Sequence, residues 1–456
     1  VFAARQLQEK CQEQHRDLFI TFLDLTKAFD TVSRDGLWRI MAKFGCPEHF
    51  ISMIRQFHEG MTAHVQDDGE TSAAFPVTNG VKQGCVLAPT LFSIVFTAML
   101  TDAFQDSEEG IGIKYRTDGK LLNQRRLLAL TKVKQTVIRD FLFADDCALN
   151  AASEQEMQSS TDRFSGACDN FGLTISTEKT EVMFQPRPGK TYKQPSITVH
   201  GQVLKPVDKF TYLGSTMSRH SNIDEEVNCR IAKASSAFGR LRRTVWERRG
   251  ISLSTKLKVY QAVVVTTLLY ACETWTVYSR HARQLNHFHT TCLRRLMRIR
   301  WQDHIPDTEV LTRANMLSVH TLLEKARARW AGHVRRMDDQ RIPKVLLYGE
   351  LAVGKRPLGR PKLRYKDNLK ATLKSLSIPV DSWEVIAADR PQWRGAVHLG
   401  AQLAETRRST LAASKREARK VRDENPAQPS LQCSTCGRWF RAKIGLISHA
   451  RTHKDD

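Results

Sequence analysis

The sequence predicts an α+β fold: a split β-α-β sheet of the ferredoxin-like type, then a basic helical region, then a small ββα zinc finger. Three observations predict it. Apolar runs and amphipathic stripes follow one another as strand, helix, hairpin, helix, strand across residues 18–184. Residues 222–300 then turn helical and rich in arginine. The chain closes on the spacing Cys433-x2-Cys436-x12-His449-x3-His453.

Residues 1–16 are polar and helix-forming, and the apolar run 18–23 reads as a strand ending at Asp24. Open sheets place ligands at the carboxyl ends of their strands, although an N-cap or a solvated acid also explains one such Asp. Residues 25–30 turn into a helix expected around 37–44. The Gly-punctuated loop 78–89 enters a long apolar helix through Phe104, and suits either close approach to a ligand or an ordinary connection. Residues 105–139 are polar and basic and read as an insertion. Phe141-Leu142-Phe143 and Cys147-Ala148-Leu149 flank a hairpin tip that carries Asp145 and Asp146. Adjacent carboxylates repel, so the pair either binds a divalent cation or forms a solvated turn.

Ser153 and Glu156 form a capping-box pattern, Met157, Phe164, Cys168 and Phe171 keep one helical face, and Gly172 stops the helix. Residues 173–176 and 180–184 are strand-like around Lys179. A second hairpin centres on Tyr212-Leu213-Gly214-Ser215. In the basic region that follows, the arginines suit either solvated faces or nucleic-acid contacts, and His281, His287, His289 and Cys292 lack the paired spacing of a metal site. The run Lys355-Arg356-Pro357-Leu358-Gly359-Arg360-Pro361-Lys362 is a basic linker or a minor-groove element. Residues 401–424 form an Ala/Arg/Lys-rich helix and 425–430 a Pro-containing linker. In the tail, Cys433, Cys436, His449 and His453 supply two thiolates and two imidazoles for one structural Zn²⁺, with Phe440 and Leu446 as its small core. The expected boundaries are therefore 1–220, 221–300, 301–424, the linker 425–430 and the finger 431–456.

Over 456 residues the chain carries 70 Lys and Arg against 48 Asp and Glu, a net charge of +22, which favours a polyanionic partner over a neutral small substrate. The most apolar windows, 91–100 and 259–272, fall short of the roughly 20 residues that a bilayer span needs, so no membrane partner is expected. The scattered cysteines suit a reducing compartment.

Taken together, these motifs resemble the reverse transcriptases of non-LTR (LINE-type) retrotransposons. The residues that carry the resemblance are Phe22-Leu23-Asp24-Leu25-Thr26-Lys27-Ala28-Phe29-Asp30, Asn79-Gly80-Val81-Lys82-Gln83-Gly84-Cys85, Phe143-Ala144-Asp145-Asp146, Gly172-Leu173-Thr174-Ile175-Ser176 with Lys179-Thr180, and Tyr212-Leu213-Gly214-Ser215, in the family's order. The resemblance implies a right-hand polymerase palm followed by a helical thumb. It implies that Asp24 and Asp145, supported by Asp146, bind two catalytic Mg²⁺ ions. Phe29 would crowd the sugar 2′ position, Gln83 and Gly84 would line the template and nucleotide pocket, Lys179 would serve the leaving pyrophosphate, and Tyr212, Leu213 and Gly214 would grip the primer. The implied partners are an RNA template, a DNA primer or target and deoxynucleoside triphosphates. Synthesis primed from a nicked chromosome would place the work in the nucleus, and the family's fingers and endonuclease would precede residue 1. The alternatives are a nucleic-acid-binding remnant that does not polymerise, and a regulator in which the finger alone matters.

Overall fold

The computed structural model describes residues 1–453 except 106, 130, 358, 360 and 425–429. Helix α1 (Phe2–Glu13) leads to strand β1 (Leu18–Leu23), then α2 (Arg34–Lys43), α3 (Ala88–Phe104), β2 (Ile111–Tyr115) and β3 (Lys134–Ile138). The hairpin β4 (Asp140–Phe143) and β5 (Asp146–Ala151) follows, then α4 (Glu154–Phe171), β6 (Glu181–Gln185), β7 (Lys205–Pro206) and a second hairpin, β8 (Lys209–Tyr212) and β9 (Ser215–Ser218). The main sheet has the order β7-β6-β1-β5-β4, with β1 antiparallel to both β5 and β6. That is the expected split β-α-β palm, with β1 at its centre.

β1 is buried at every position because both faces of the sheet are covered. Phe19 and Leu23 face α3 and α4 through Phe92, Phe96, Met157 and Phe164. Leu18, Ile20 and Phe22 face the other side, where α1 packs through Ala4, Leu7 and Cys11. The period-2 alternation of a strand therefore distributes one apolar run between two cores. Helix α4 starts as its residues predict: the Ser153 hydroxyl accepts the Glu156 N–H at 3.1 Å, while the Glu156 carboxylate reaches back to the Ala152 N–H at 3.0 Å. Gly172, at φ 69°, ends it in the left-handed conformation.

Two expectations change. Residues 105–139 are not a mere insertion: β2 pairs with β3 on one edge and with β10 (Glu350–Leu351) on the other. Residues 173–176 form no strand and make one bridge, Leu25 to Ile175, because the turn at 177–179 follows at once.

Beyond the palm, α5 (Asp224–Arg240), α6 (Ser279–Leu296) and the start of α7 (Val319–Arg336) share one apolar core around the fully buried Trp275. The rest of α7, with α8 (Ile342–Tyr348), α9 (Tyr365–Ser375) and α10 (Arg390–Glu424), builds another around Trp383 and Trp393. Helix α10 begins at Arg390, ahead of the expected 401, because Trp393 and Val397 are buried in this core. His281 contacts Asp224 at 2.7 Å, and His289 contacts the Tyr260 hydroxyl at 2.9 Å, so both have structural partners. Of the expected linker 425–430, all but Ser430 lies outside the described residues, as do Leu358 and Arg360 of the basic run. No described helix is long and apolar enough to cross a membrane.

Candidate active site and zinc module

The register of the sheet assembles the acidic site. Leu23 of β1 lies opposite Cys147 of β5, so the next step along the strand sets Asp24 beside Asp146. Phe143 pairs with Asp146, which leaves Ala144 and Asp145 as a two-residue turn. Ala144 sits at φ 54°, a conformation disfavoured for any residue with a Cβ. Desolvation, then the charges of Asp145 and Asp24, raise the Asp146 carboxyl above the usual carboxylate range. Lys179 is exposed, with its Nζ 3.8 Å from Asp24 Oδ1.

Three hard oxygen donors beside one ammonium leave an excess of negative charge, which suits a divalent cation such as Mg²⁺. The aspartates are neighbours on one edge rather than a closed ligand set. Among the described residues, the group of His, Cys, Asp or Glu side chains that converges as metal ligands would is the one in the tail.

Phe29 and the Gln83 loop are held together by backbone bonds. The Gly80 N–H donates to the Val32 carbonyl at 2.9 Å, and the Val81 N–H donates to the Phe29 carbonyl at 2.8 Å. Gly80 is at φ 82°, and a Cβ there would lie 2.6 Å from the Asp30 carbonyl oxygen. The Arg34 guanidinium, which the sequence did not single out, bonds the carbonyls of Gly80 at 3.0 Å, His58 at 2.7 Å and Asn79 at 3.3 Å. Phe29 stacks on Phe92 with ring centroids 4.7 Å apart. Gln83 and Gly84 stand exposed, and nothing within 4 Å would obstruct a Cβ at Gly84.

In the second hairpin Tyr212 is buried against Phe22, and its hydroxyl donates to the Phe141 carbonyl at 3.4 Å. Its ring therefore supports the turn, and the turn residues Leu213 (φ 49°) and Gly214 (φ 74°) are the ones that reach the surface. Behind them lies a charge network that sequence reasoning missed. Glu226 is wholly buried and accepts from the Ser215 hydroxyl at 3.0 Å, the Thr216 N–H at 2.5 Å and Arg230 Nε at 2.8 Å. Arg5 of α1 donates to Ser215 Oγ at 3.0 Å and to the Thr216 carbonyl at 2.9 Å, and burial lowers its pKa to about 10. Arg230 also bonds the Gly214 carbonyl and covers the Tyr270 ring, and the Tyr270 hydroxyl donates to the Leu213 carbonyl at 3.0 Å. In the sequence, Glu226 and Arg230 look like an ordinary exposed i,i+4 pair.

In the tail, β11 (Leu431–Gln432) and β12 (Trp439–Phe440) pair, and α11 (Lys443–Ala450) follows. The potential ligand atoms of Cys433, Cys436, His449 and His453 all lie within 4.8 Å of one another. Cys436 Sγ and His449 Nε2 are 2.9 Å apart, and the Nε2 atoms of His449 and His453 are 3.0 Å apart. The Cys433 thiol is pulled down to about 6, chiefly by the Cys436 and Thr435 backbone N–H groups. Two soft thiolates and two imidazoles in this arrangement fit Zn²⁺.

Residues 2–217 match the family described as reverse transcriptase (RNA-dependent DNA polymerase). The RNA-directed DNA polymerase from mobile element jockey of Drosophila melanogaster is 26% identical over 303 residues, covering 63% of this chain and 29% of that protein. A putative uncharacterized transposon-derived protein of Caenorhabditis elegans is 27% identical over 267 residues, covering 56% of this chain and 93% of its own length. The Pol polyprotein of the type-2 retrotransposable element R2DM, also from Drosophila melanogaster, is 27% identical over 206 residues, 44% of this chain and 17% of that protein. The alignments thus span under a third of the jockey and R2DM proteins. Residues 2–217 thus carry a reverse transcriptase domain, and the chain's relatives include RNA-directed DNA polymerases of non-LTR retrotransposons.

Proposed function

We propose that the chain extends a DNA primer on an RNA template by two-metal nucleotidyl transfer, as part of a LINE-type element that primes synthesis from nicked chromosomal DNA in the nucleus. The observation that carries this reading is the register that sets Asp24 beside Asp146 at the hairpin tip bearing Asp145. Asp24 and Asp145, with Asp146 beside them, would hold the two Mg²⁺ ions, whose chemistry is to activate the primer 3′-hydroxyl and to neutralise charge on the triphosphate. Phe29, fixed against Phe92, crowds the sugar 2′ position and so favours deoxynucleotides. Gln83 and Gly84 line the template and nucleotide pocket from an exposed loop that Arg34 clamps from below. Lys179, exposed and 3.8 Å from Asp24, carries positive charge or a proton to the leaving pyrophosphate. The Leu213-Gly214 turn holds the primer, and the finger, loaded with Zn²⁺, adds a nucleic-acid contact.

Primer extension on an RNA template with Mg²⁺ tests the reading. The Asp145→Asn variant is expected to lose about 10³-fold in rate, since a metal contact is worth several kcal/mol and each 1.36 kcal/mol is tenfold. Template binding without any extension by the unaltered chain would replace this reading with that of a binding remnant.

A further inference from the structure

Lys362 ends the basic run and lines a cleft. The cleft has a volume of about 450 Å³, and its other walls come from α1, the loop after β6 and the turn after β9. Arg187, Lys190, Arg219 and Lys362 line the cleft, with Gln12 and Tyr192 among the other lining residues, and none of the lining residues is acidic. Two of the four cations are answered from outside the cleft: Lys190 by Asp17 at 2.6 Å and Arg219 by Asp208 at 2.6 Å. Arg187 and Lys362 are exposed, and among the described residues neither side chain has an ion-pair partner. The Arg219 guanidinium lies on the Tyr192 ring at 4.1 Å, and that ring backs onto Phe184 at 5.9 Å. The Arg219 guanidinium thus covers a face of Tyr192 on which a base would otherwise stack.

The cleft is separate from the acidic site. It gathers at the amino end of β1, where Leu18 pairs with Gln185 and where Asp17 accepts the Arg187 N–H at 2.8 Å. Asp24 follows the opposite end of the same strand, about 20 Å away at roughly 3.3 Å per residue.

We propose that this cleft is a second nucleic-acid contact that binds backbone phosphates without reading bases. Cations without carboxylates in the lining favour a polyanion, and the Arg219 guanidinium on the Tyr192 ring competes with a stacked base. The inference goes beyond polymerisation, because the contact is read by binding alone. Phosphodiester could come from RNA template or DNA target, and the two arms of the test separate them. Fluorescence anisotropy with single-stranded RNA or DNA oligonucleotides, from 50 to 200 mM salt, compares the chain with an Arg187→Ala/Lys362→Ala variant. Losing two phosphate contacts is expected to reduce the slope of log affinity against log salt by about 1.4 for a single strand. An Arg187→Lys/Lys362→Arg variant, which keeps the charges, is expected to keep the slope. The primer-extension rate at saturating primer-template is expected to stay unchanged in both. A change in the RNA arm alone assigns the cleft to template, and a change in the DNA arm alone to target. An unchanged slope in both arms, or equal loss in the charge-conserving variant, overturns the proposal.

Discussion

Single residues here hold backbone conformations on which the acidic site depends. Ala144 takes φ 54° so that a two-residue turn can close between β4 and β5, which sets Asp145 at the tip and Asp146 beside Asp24. Unfavoured conformations of this sort persist when the surrounding pairs over-determine them. Gly80 shows the same economy of space: its φ of 82° and the 2.6 Å approach to the Asp30 carbonyl oxygen leave no room for a methyl group. Gly80→Ala is expected to displace the loop bearing Gln83, lowering stability by about 1–3 kcal/mol and raising the KM for nucleotide. A denaturant midpoint and a KM both equal to those of the unaltered chain would count against this role. Arg34 is the polar counterpart, since one guanidinium bonds three carbonyls of that neighbourhood. Nothing in the sequence distinguishes it from the other surface arginines, because its partners are backbone atoms.

Among elements, α1 joins separate parts of the chain. On its inner side Arg5 reaches the 209–218 hairpin, and on another side Lys10 donates to the Gly349 carbonyl at 2.7 Å and Gln14 to Glu350 at 2.9 Å. Glu9 accepts from the Thr276 hydroxyl at 2.7 Å and the Tyr365 N–H at 2.9 Å, and desolvation pushes its carboxyl up to about 7. Between its ordinary value of 4.5 and about 7, folded Glu9 keeps a proton that the unfolded chain has lost, so its contribution to stability falls as pH rises through that window. Glu9→Gln is expected to flatten the dependence of Tm on pH there, and a slope identical to that of the unaltered chain would refute the assignment. Glu350 has the opposite sign. Although burial disfavours its charge, Lys10 and Lys366 hold its carboxyl well below the usual range, and that support is lost as pH falls below 4.5. Behind the second hairpin, Glu226 of α5 balances Arg5 and Arg230 in a buried site. Glu226→Ala is expected to cost about 3–5 kcal/mol by leaving two guanidinium groups uncompensated, and to raise the KM for primer. Urea unfolding and primer titration check the two effects separately.

At the scale of the whole molecule, residues far apart in sequence complete the same layers. The strand at 350–351 extends the sheet begun by β2 and β3, and Val345 and Leu346 join Ile20 and Phe22 in the core behind the palm. The apolar cores of the palm and of the helical region contain no residue of 434–453, so zinc removal has a local effect to expect. A chelator is expected to abolish hydrogen-exchange protection in residues 431–453 while leaving that of β1 and β5 intact. Loss of protection in both would contradict a separately folding finger.

What could be read from the sequence was what is local. β1, the β4–β5 hairpin, α4 with its Ser153 and Gly172 ends, and the Cys/His spacing each follow from periodicity, turn chemistry or capping within some twenty residues. The β2–β3–β10 sheet was not legible, because its strands are short and partly polar and the pairing partner of Ile113 lies at Leu351. Nor was the Arg5, Glu226 and Arg230 network, since a charged side chain announces solvent until the fold buries it. The sequence by itself determined the split β-α-β order, the acids at its strand ends and the spacing of the four Cys and His side chains that converge in the tail. Only the tertiary structure decided which charges are buried, what clamps the Gly80 loop and where Lys362 comes to rest, because those outcomes depend on long-range contacts that no local pattern encodes.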